Sequence, residues 1–558
     1  MSDDASGPTF PEAFNLADYF LFDREAEGKG ENVALRFGDR AWTYAEVAQR
    51  SRALARWLVA HGLHEGQRVY VVLPDLPPFA WSIFAILAAG GVLAMGNPLS
   101  PADDLMYVLD YVKACVLITT PEVAEALQPR LAQLPHLRAV LLAPSAATGD
   151  DPEAPVAISD GLADLGMTCQ VASLDGAIEE ADPEVALPQA RRDDPAIWLF
   201  TSGSTGRPKA AMHSHRDFAF NTEVYAKATV GYAEHDVSIS VARLFFGYAT
   251  GTNLWFPFAV GATVGLFSER PTAESVAAAI TRYRATIVTN VPTMLGKLLD
   301  LDDERKAAGQ PGLDLSSVRF HLSAGEALPE PLMRRFVERF GGEIYDGIGS
   351  AEMFHIYCSN RPGDVMPGSL GRVVDGYTLK ILPEDAEGAG APALPPGEIG
   401  VLWVKGDSVA HGYFQDRDKS WKTFHGHWCR TGDLFHIDER GYLWFSGRAD
   451  DLFKSGGIFV APREVEDCLL GHPAVSGVAV IPCDDAGLLK PKAVVVVRPE
   501  ARDREHPALA DELKAHVQAR LSKHKYPRWV VFVDDLPKND RGKVDKKQLI
   551  ERDRRGEL

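Results

Sequence analysis

The chain has 558 residues, 46% of them hydrophobic, and a formal net charge of −19. It is too long for one ordinary core, so we expect several subdomains, and its acidic balance disfavours nucleic acid and anionic membranes as partners. Six cysteines form no C-x-x-C pair, and the acidic start lacks a signal-peptide pattern. These features predict a cytoplasmic protein.

The predicted elements alternate between strands and helices. A capping box at Thr43 and Glu46 begins a helical pattern that Gly62 ends. The most apolar stretch, 79–95, contains two glycines and is too short to cross a bilayer comfortably, so it predicts a buried helix followed by a buried strand. Further strands are predicted at 68–73, 115–119, 139–142, 196–200, 263–267 and 286–291. This alternation indicates α/β architecture with largely parallel sheets.

The later part of the chain has a different pattern. Residues 145–194 and 384–397 are rich in Pro, Gly and Ala and predict a surface excursion and a connector. Beyond the charged turn at Asp450, a small α+β unit is predicted, with strands at 475–481, 493–497 and 529–533 and helices at 462–470 and 509–521. We therefore expect an N-terminal domain at 1–449 and a C-terminal domain at 450–558.

A loop rich in glycine and hydroxyl groups follows the predicted strand at 196–200. Its residues are Thr201, Ser202, Gly203, Ser204, Thr205, Gly206, Arg207, Pro208 and Lys209. Glycines let the backbone approach a phosphate, consecutive N–H groups form an anion-binding concavity, and Lys209 adds a positive charge. A flexible linker is the alternative, but linkers rarely follow a buried strand and end in Pro-Lys. The Walker A pattern is absent, which disfavours a nucleotide-switch ATPase.

This loop resembles the signature loop of the adenylate-forming superfamily, which includes acyl-CoA synthetases, luciferase and adenylation domains. Five further segments resemble superfamily motifs in the expected order, at 323–326, 349–352, 430–433, 447–451 and 537–543. The resemblance implies a large N-terminal domain of mixed, largely parallel sheets with helices. A small, mobile α+β C-terminal domain would follow it.

The resemblance also implies roles for individual residues. Catalytic roles fall to Lys209 and Lys543, and the hinge between the domains to Asp450. Glu352 would hold Mg²⁺, for which a carboxylate oxygen is a suitable ligand. The residues expected to bind ATP or coenzyme A are Thr201, Ser202, Gly203, Ser204, Thr205, Gly206, Gly325, Glu326, Asp346, Gly347, Ile348, Asp433, Arg448 and Gly457.

Among these, Asp433 would accept the ribose hydroxyls, with Arg448 supporting it, and Asp346 would face the adenine amine. Gly457 would line the tunnel for the pantetheine arm of coenzyme A. Lys543 would contact both the carboxylate and the α-phosphate during adenylation, offsetting the charge that develops there. Read alone, Lys543 would be a solvated lysine in a basic tail, Asp346 an acidic turn residue and Gly457 an ordinary turn glycine.

Two positions depart from the superfamily pattern. Ala351 stands where a threonine usually contacts the α-phosphate, and Ser350 is the neighbouring hydroxyl that could replace it. Ile348 stands where an aromatic residue usually packs on adenine, so adenine would meet an aliphatic face.

Within the superfamily, several segments resemble benzoate–CoA ligases, notably 244–248, 269–272, 346–350 and 352–356. By this likeness the acyl pocket is lined by Phe246, Gly247, Tyr248, Ala324, Gly349, His355 and Ile356. Aromatic walls with small residues between them suit a benzene ring. Benzoate ligases often carry Ala in place of Gly247, so hydroxy- and aminobenzoates are candidate substrates beside benzoate.

The sequence therefore predicts an ATP-dependent aryl acid–CoA ligase with ATP, Mg²⁺ and coenzyme A as cofactor or co-substrates. Its expected partner is a small aromatic carboxylic acid, with neither nucleic acid nor membrane, in a monomer or homodimer. One alternative is an aryl adenylation enzyme that loads a carrier-protein thiol. Another is an inactive binding or scaffold protein, disfavoured by the joint presence of Lys209, Glu352, Asp433 and Lys543.

Overall fold

The computed structural model describes most of the chain. The described residues are 7–145, 151–154, 156–167, 169–202, 207–326, 328–448, 453–455, 458–460, 462–485, 488–522, 525–538 and 544–558. Within these ranges, none of the helices has both the length and the apolar character needed to cross a membrane.

The strands and helices alternate through the first part of the chain. The strands are β1 (Val33–Phe37), β2 (Arg40–Thr43), β3 (Arg68–Val72), β4 (Val92–Met95), β5 (Val116–Thr119), β6 (Ala139–Leu142), β7 (Gln170–Ser173), β8 (Pro195–Ser202), β9 (Pro208–Ser214), β10 (Val237–Ser240), β11 (Thr263–Leu266), β12 (Ile287–Asn290), β13 (Phe320–Ser323), β14 (Glu343–Gly349), β15 (Ile356–Ser359), β16 (Arg372–Val373), β17 (Thr378–Leu382), β18 (Gly400–Lys405), β19 (Phe424–His425), β20 (Trp428–Ile437), β21 (Leu443–Arg448), β22 (Phe453–Ser455), β23 (Ile458–Val460), β24 (Val475–Asp485), β25 (Leu488–Val497) and β26 (Trp529–Phe532).

The α-helices are α1 (Asp23–Ala26), α2 (Tyr44–Ala60), α3 (Pro77–Ala88), α4 (Ala102–Tyr111), α5 (Pro121–Leu131), α6 (Asp160–Ala163), α7 (Leu174–Glu179), α8 (His215–Asn221), α9 (Gly247–Thr250), α10 (Phe256–Val260), α11 (Ala273–Tyr283), α12 (Pro292–Ala307), α13 (Glu330–Phe340), α14 (Arg417–Thr423), α15 (Pro462–Leu470), α16 (His506–Gln518) and α17 (Lys546–Arg554). Short π-helical segments at Asp18–Phe22, Thr222–Val230 and Gly251–Trp255 extend some of them.

Two large sheets form the N-terminal domain. One has the strand order β7-β6-β5-β3-β4-β8-β9 and is parallel except for the β8–β9 hairpin. The other has the order β16-β15-β14-β13-β12-β10-β11-β1-β2, with a parallel centre from β14 to β1 and antiparallel edges. Parallel sheets need apolar residues on both faces because helices cover both, which explains the short, wholly apolar runs in the sequence.

The main core lies where helices from both sheets meet. Every residue of α3 is buried. Trp255 packs edge-on against Phe84 of α3 and Phe218 of α8, with ring centroids 5.4 and 6.1 Å apart. Aromatic side chains contribute large buried areas, and edge-on pairs add to that burial. This packing joins the elements that follow the phosphate-loop segment to the rest of the domain.

A smaller antiparallel sheet follows, with the order β17-β18-β20-β19 and β21 paired to β20. The C-terminal domain then contains the β22–β23 hairpin and a sheet of the order β24-β25-β26. Its own core packs Val478, Val480 and Val495 with Leu509 and Leu513 of α16. The chain is thus a large α/β domain with a smaller α+β domain, as the sequence predicted.

Local predictions agree closely with these elements. Thr43 and Glu46 form the predicted capping box at the start of α2, with the Glu46 amide 3.2 Å from Thr43 Oγ1. The stretch at 79–95 is a buried helix followed by a buried strand. The predicted excursion at 145–194 contains more structure than expected, because β7 pairs with β6 and extends the first sheet.

Candidate functional site

The predicted phosphate loop joins two strands that pair antiparallel. Thr201 and Ser202 end β8, Pro208 and Lys209 begin β9, and Thr201 lies opposite Lys209 in the register. Gly203, Ser204, Thr205 and Gly206 lie outside the described residues, as does the side chain of Ser202. The hairpin fixes Lys209 on a strand, where the sequence had suggested the end of a loop.

Lys209 belongs to a cluster of charged and aromatic groups. Its Nζ lies 3.1 Å from Asp416 Oδ2 and 5.8 Å from the centre of the Tyr413 ring. The Tyr413 hydroxyl donates to Glu352 Oε1 at 2.7 Å. Glu352 and Lys209 therefore both contact the same tyrosine. Burial and then the Glu352 carboxylate raise the pKa of Tyr413 far above its usual value, so it remains a hydrogen-bond donor.

Asp416 is held in place from two directions. It caps the start of α14 by accepting from the Lys419 amide at 3.1 Å, and it pairs with Lys209. Burial opposes the charge of Asp416, but the hydrogen bonds from Lys209 and from the Lys419 amide lower its pKa below the usual value. The ammonium group of Lys209 is thus held in position by an ionised carboxylate.

The chemistry of Glu352 suits a magnesium ion. Tyr413 donates to Oε1, whereas Oε2 accepts no hydrogen bond from the residues that the structure describes. In the same part of the chain, no group of three or more His, Cys, Asp or Glu could hold a metal by itself. Magnesium in proteins commonly uses one or two carboxylates together with substrate phosphates and water, so a single half-buried carboxylate beside a lysine fits that ion.

The residues expected near adenine lie at the ends of neighbouring strands. Gly325 follows β13 with φ of +88°, and Glu326 accepts from the Thr293 hydroxyl at 3.0 Å. Asp346, Gly347 and Ile348 lie on β14, where Asp346 pairs with Ser323 of β13. Burial raises the pKa of Asp346 to about 7, although the Ser323 hydroxyl and the Leu328 amide oppose that shift. Near neutral pH its carboxyl group can therefore either donate or accept a hydrogen bond.

The two expected ribose contacts face each other across a strand pair. Asp433 of β20 lies opposite Arg448 of β21, and the Asp433 amide donates to Thr431 Oγ1 at 3.2 Å. The Arg448 side chain lies outside the description, and so do Asp450, Gly457 and Lys543. The roles of these residues remain predictions from the sequence.

Four of the residues expected in the acyl pocket contact one another directly. Gly349 lies opposite Ile356 in the β14–β15 pair, and a Cβ on Gly349 would come within 2.4 Å of the His355 carbonyl oxygen. Only glycine fits this close backbone approach. His355 Nε2 lies 3.0 Å from the Tyr248 carbonyl oxygen, and the two rings stack at 5.5 Å.

The hydrogen-bond partners of His355 decide its tautomer. Burial lowers its pKa to about 4, so the ring is neutral at physiological pH, and Nε2–H donates to the Tyr248 carbonyl. Its Nδ1 is then an acceptor, and it is buried without a partner among the described residues. The Tyr248 hydroxyl is likewise buried without such a partner. The residues that the structure describes therefore leave the hydrogen-bonding capacity of two buried polar atoms unused.

The other three acyl-pocket candidates are close in the chain or in the sheet. Phe246 and Gly247 precede Tyr248, with Phe246 40% exposed and capping α9. Ala324 is buried at the end of β13, beside β14. A Cβ on Gly247 would lie 3.1 Å from Leu199 Cδ1, so it would point towards β8. A methyl group at position 247 would therefore contact Leu199, and any effect on a bound ring would depend on that contact.

Sequence reasoning missed Tyr413, Asp416 and His213. Tyr413 and Asp416 are distant in the chain from Lys209, and no sequence pattern indicates the contact. His213 could have been found, because Lys209 and His213 are four residues apart on one strand and therefore share a face. Its Nε2 lies 2.6 Å from the carbonyl oxygen of Ala351, next to Glu352.

Known families and proteins resemble this chain over nearly its whole length. The family described as AMP-binding enzyme matches residues 22–414, and the family described as AMP-binding enzyme C-terminal domain matches residues 464–543. The benzoate–CoA ligase of Thauera aromatica is 37% identical over 97% of this chain and 96% of its own. The 4-hydroxybenzoate–CoA/benzoate–CoA ligase of Rhodopseudomonas palustris (strain ATCC BAA-98 / CGA009) is 36% identical over 96% of this chain and 94% of its own.

A solved structure agrees with these matches. The anthranilate CoA ligase AuaEII, crystallised in complex with anthranoyl-AMP, is 32% identical and superposes with a TM-score of 0.84 over 97% of this chain and 98% of its own. Family models, relatives and fold all agree with the six ordered motifs in the sequence. The chain belongs to the AMP-binding enzyme family, which is the adenylate-forming superfamily, and within it resembles the benzoate–CoA ligases.

Proposed function

We propose that the protein is an AMP-forming aryl acid–CoA ligase. In the first step an aryl carboxylate attacks the α-phosphate of ATP, giving aryl-AMP and pyrophosphate. In the second, the thiol of coenzyme A displaces AMP and forms the aryl thioester. The observation that carries this proposal is that Lys209 and Glu352 both contact Tyr413, with Lys209 on the strand that follows the predicted phosphate loop.

The phosphate side would bind and orient the nucleotide. The hairpin turn would supply backbone N–H groups, and Lys209 would exchange Asp416 for a phosphate oxygen. Mg²⁺ bound by Glu352 would neutralise phosphate charge. Asp433 and Arg448 would hold the ribose, and Asp346 the adenine amine. Positioning and charge neutralisation account for much of such a reaction, because two anions must approach each other.

The acyl side would hold the aromatic acid. The surrounding rings and small residues favour a flat apolar group, and relatives acting on benzoate, hydroxybenzoate and anthranilate support an aromatic substrate. The unpartnered Tyr248 hydroxyl and His355 Nδ1 could each meet a polar ring substituent. Benzoate and its amino or hydroxy derivatives are therefore the proposed substrates.

The C-terminal domain would complete the site in two orientations. We place the domain boundary and hinge at Asp450, with 1–449 and 450–558 as the two domains. Lys543 would enter for adenylation, and Gly457 would line the path of coenzyme A for thiolation. An enzyme that loads a carrier-protein thiol is the second candidate, since it would share every step up to aryl-AMP.

We also propose a cytoplasmic location and a monomer or homodimer. All six cysteines lie in the described part of the chain and none is in a disulfide, which suits a reducing compartment.

The test is a pyrophosphate-release assay with benzoate, 2-aminobenzoate, the three hydroxybenzoates, phenylacetate, cinnamate and short fatty acids. AMP release that depends on coenzyme A, with formation of the thioester, is the expected result for the benzoates. Pyrophosphate release without thioester formation would favour carrier-protein loading. Activity confined to fatty acids would contradict the aromatic substrate but not the adenylate-forming chemistry.

A further inference from the structure

His213 is a buried histidine whose two ring nitrogens both have close partners. Nδ1 lies 3.0 Å from Asp217 Oδ2, and Nε2 lies 2.6 Å from the carbonyl oxygen of Ala351. The side chains of His213 and Asp217 are 0% and 2% exposed. Water therefore cannot replace either contact without local opening of the structure.

Both partners of His213 are hydrogen-bond acceptors. A carbonyl oxygen can only accept, and Asp217 already accepts from the Ser214 amide at 3.1 Å and faces the Ser214 hydroxyl at 2.6 Å. Each ring nitrogen of His213 therefore faces an acceptor, and an N–H on Nε2 donates to the Ala351 carbonyl.

The Ala351 contact links two parts of the site that are 138 residues apart in the chain. Ala351 precedes Glu352, and His213 lies on the same face of β9 as Lys209. The same strand bonds to the segment that carries Tyr413, since the Met212 amide donates to the Gly412 carbonyl at 3.0 Å and the Phe414 amide to the Ala210 carbonyl at 2.9 Å. Strand β9 thus carries Lys209 and is hydrogen-bonded to the segments that carry Tyr413 and Glu352.

We propose that His213 is a positioning residue that fixes the Glu352 carboxylate relative to Lys209, and so prepares the site for Mg·ATP. This inference rests on the proposed function, because it assigns Glu352 to the metal and Lys209 to phosphate. Because its side chain is 0% exposed, His213 is assigned no direct contact with the nucleotide. It acts through the Ala351 carbonyl, as groups behind a metal ligand commonly do, and replacing such groups typically costs about 10–100-fold in metal affinity or activity.

A purely stabilising role makes a different prediction, and His215 provides the comparison. His215 is also buried, two residues further along, but its Nδ1 accepts from the Leu16 amide at 3.1 Å and burial lowers its pKa to about 4. It faces the N-terminal segment, and in the described part of the chain it has no hydrogen bond to Ala351. If buried histidines here served stability alone, replacing either would have the same consequences for Mg·ATP.

The experiment measures ATP binding by calorimetry at a series of Mg²⁺ concentrations, without aryl acid, and the rise in melting temperature that Mg·ATP produces. His213→Leu is compared with His215→Leu. His213→Gln should recover part of the loss, because its amide can still donate to the Ala351 carbonyl. Asp217→Asn is a second variant that tests the same contact. It keeps the shape near His213 but removes the charge of the partner of its Nδ1.

We expect His213→Leu to raise the Mg²⁺ concentration for half-maximal ATP binding by about 10–100-fold. His215→Leu should leave it unchanged even if the melting temperature falls equally. Should His213→Leu fail to fold, a shift of the same direction in Asp217→Asn would support the proposal. Equal Mg²⁺ dependence in all folded variants would overturn it. Absence of Mg-dependent ATP binding in the unaltered protein would instead overturn the proposed function, and this inference with it.

Discussion

The side of the site that we propose for phosphate and the side that we propose for the acyl group are built in different ways. On the phosphate side, Lys209, Asp416 and Glu352 are charged groups on or beside paired strands, and hydrogen bonds fix their separations. On the acyl side, position comes from ring stacking and from close backbone contacts such as that between Gly349 and His355. Charge recognition needs fixed donors and acceptors, whereas recognition of a flat ring needs shape.

The acyl side also has one buried carboxylate, which behaves unlike those of the phosphate side. Asp75 accepts from the Leu244 amide at 3.0 Å and lies 3.7 Å from Arg243, so it anchors the start of the segment that leads to Phe246. Burial outweighs these partners and raises the pKa of Asp75 to about 6. The pKa of Asp416, which pairs directly with Lys209, is instead lowered.

The largest expected effect tests whether the residues of the N-terminal domain are enough for adenylation without Lys543. Lys543→Ala should slow adenylation by about 10²–10³-fold, because a positioned charge is lost where charge develops in the transition state. Thiolation of supplied aryl-AMP should be nearly unaffected. Both half-reactions are measured, with Lys547→Ala, an exposed lysine of α17, as the control. Equal damage to the two half-reactions would contradict the assigned role.

A second prediction concerns the unpartnered hydroxyl on the acyl side. If Tyr248 meets a polar ring substituent, Tyr248→Phe should reduce kcat/KM for the best hydroxy- or aminobenzoate by about tenfold, the usual value of one hydrogen bond. The value for benzoate should stay constant or improve, because the buried Tyr248 hydroxyl that benzoate leaves without a partner is then absent. Tyr225→Phe is the control, because it also removes a buried tyrosine hydroxyl, but one that already interacts with the Ser359 side chain. A uniform loss across all acids would point to packing.

A third prediction concerns the shape of the acyl side. Gly247→Ala should lower kcat/KM for substituted benzoates more than for benzoate, since a mismatch of one methyl group changes discrimination by about 10-fold or somewhat more. The added Cβ would lie 3.1 Å from Leu199, so Leu199→Val in the same chain should restore part of the loss. If the second change restores nothing, the effect lies in the backbone of α9 and not in this contact.

The smallest expected effect concerns Asp75 and pH. Its folded pKa of about 6 exceeds the ordinary value of 3.8, so the folded state binds the proton more tightly than the unfolded state. This contribution to stability is therefore fully present below about pH 4 and is lost as the pH rises to about 6. Asp75→Asn should reduce the change in the free energy of unfolding over that pH range by about 1–3 kcal/mol. Chemical unfolding at pH 4, 5, 6 and 7 measures it, and an unchanged slope would exclude Asp75 as its source.

Much of this protein could be predicted from local sequence. The capping box of α2, the buried α3–β4 pair and most strands follow from patterns within a few neighbouring residues. The ordered motifs predict roles for Lys209, Glu352 and Asp433 because each lies in a short segment with a recognisable composition. The excursion at 145–194 was less predictable, since β7 is ordered mainly by its pairing with β6.

The tertiary structure decided which distant groups meet. Asp416 reaches Lys209 and His213 reaches Ala351 only because strand pairing brings together segments that are far apart in the chain. The direction of a Cβ at Gly247 and the fit at Gly349 likewise depend on neighbours from other elements. Sequence patterns report the state of one segment, whereas contacts and burial depend on all the segments packed around it, and these set the charge states and the shape of the site.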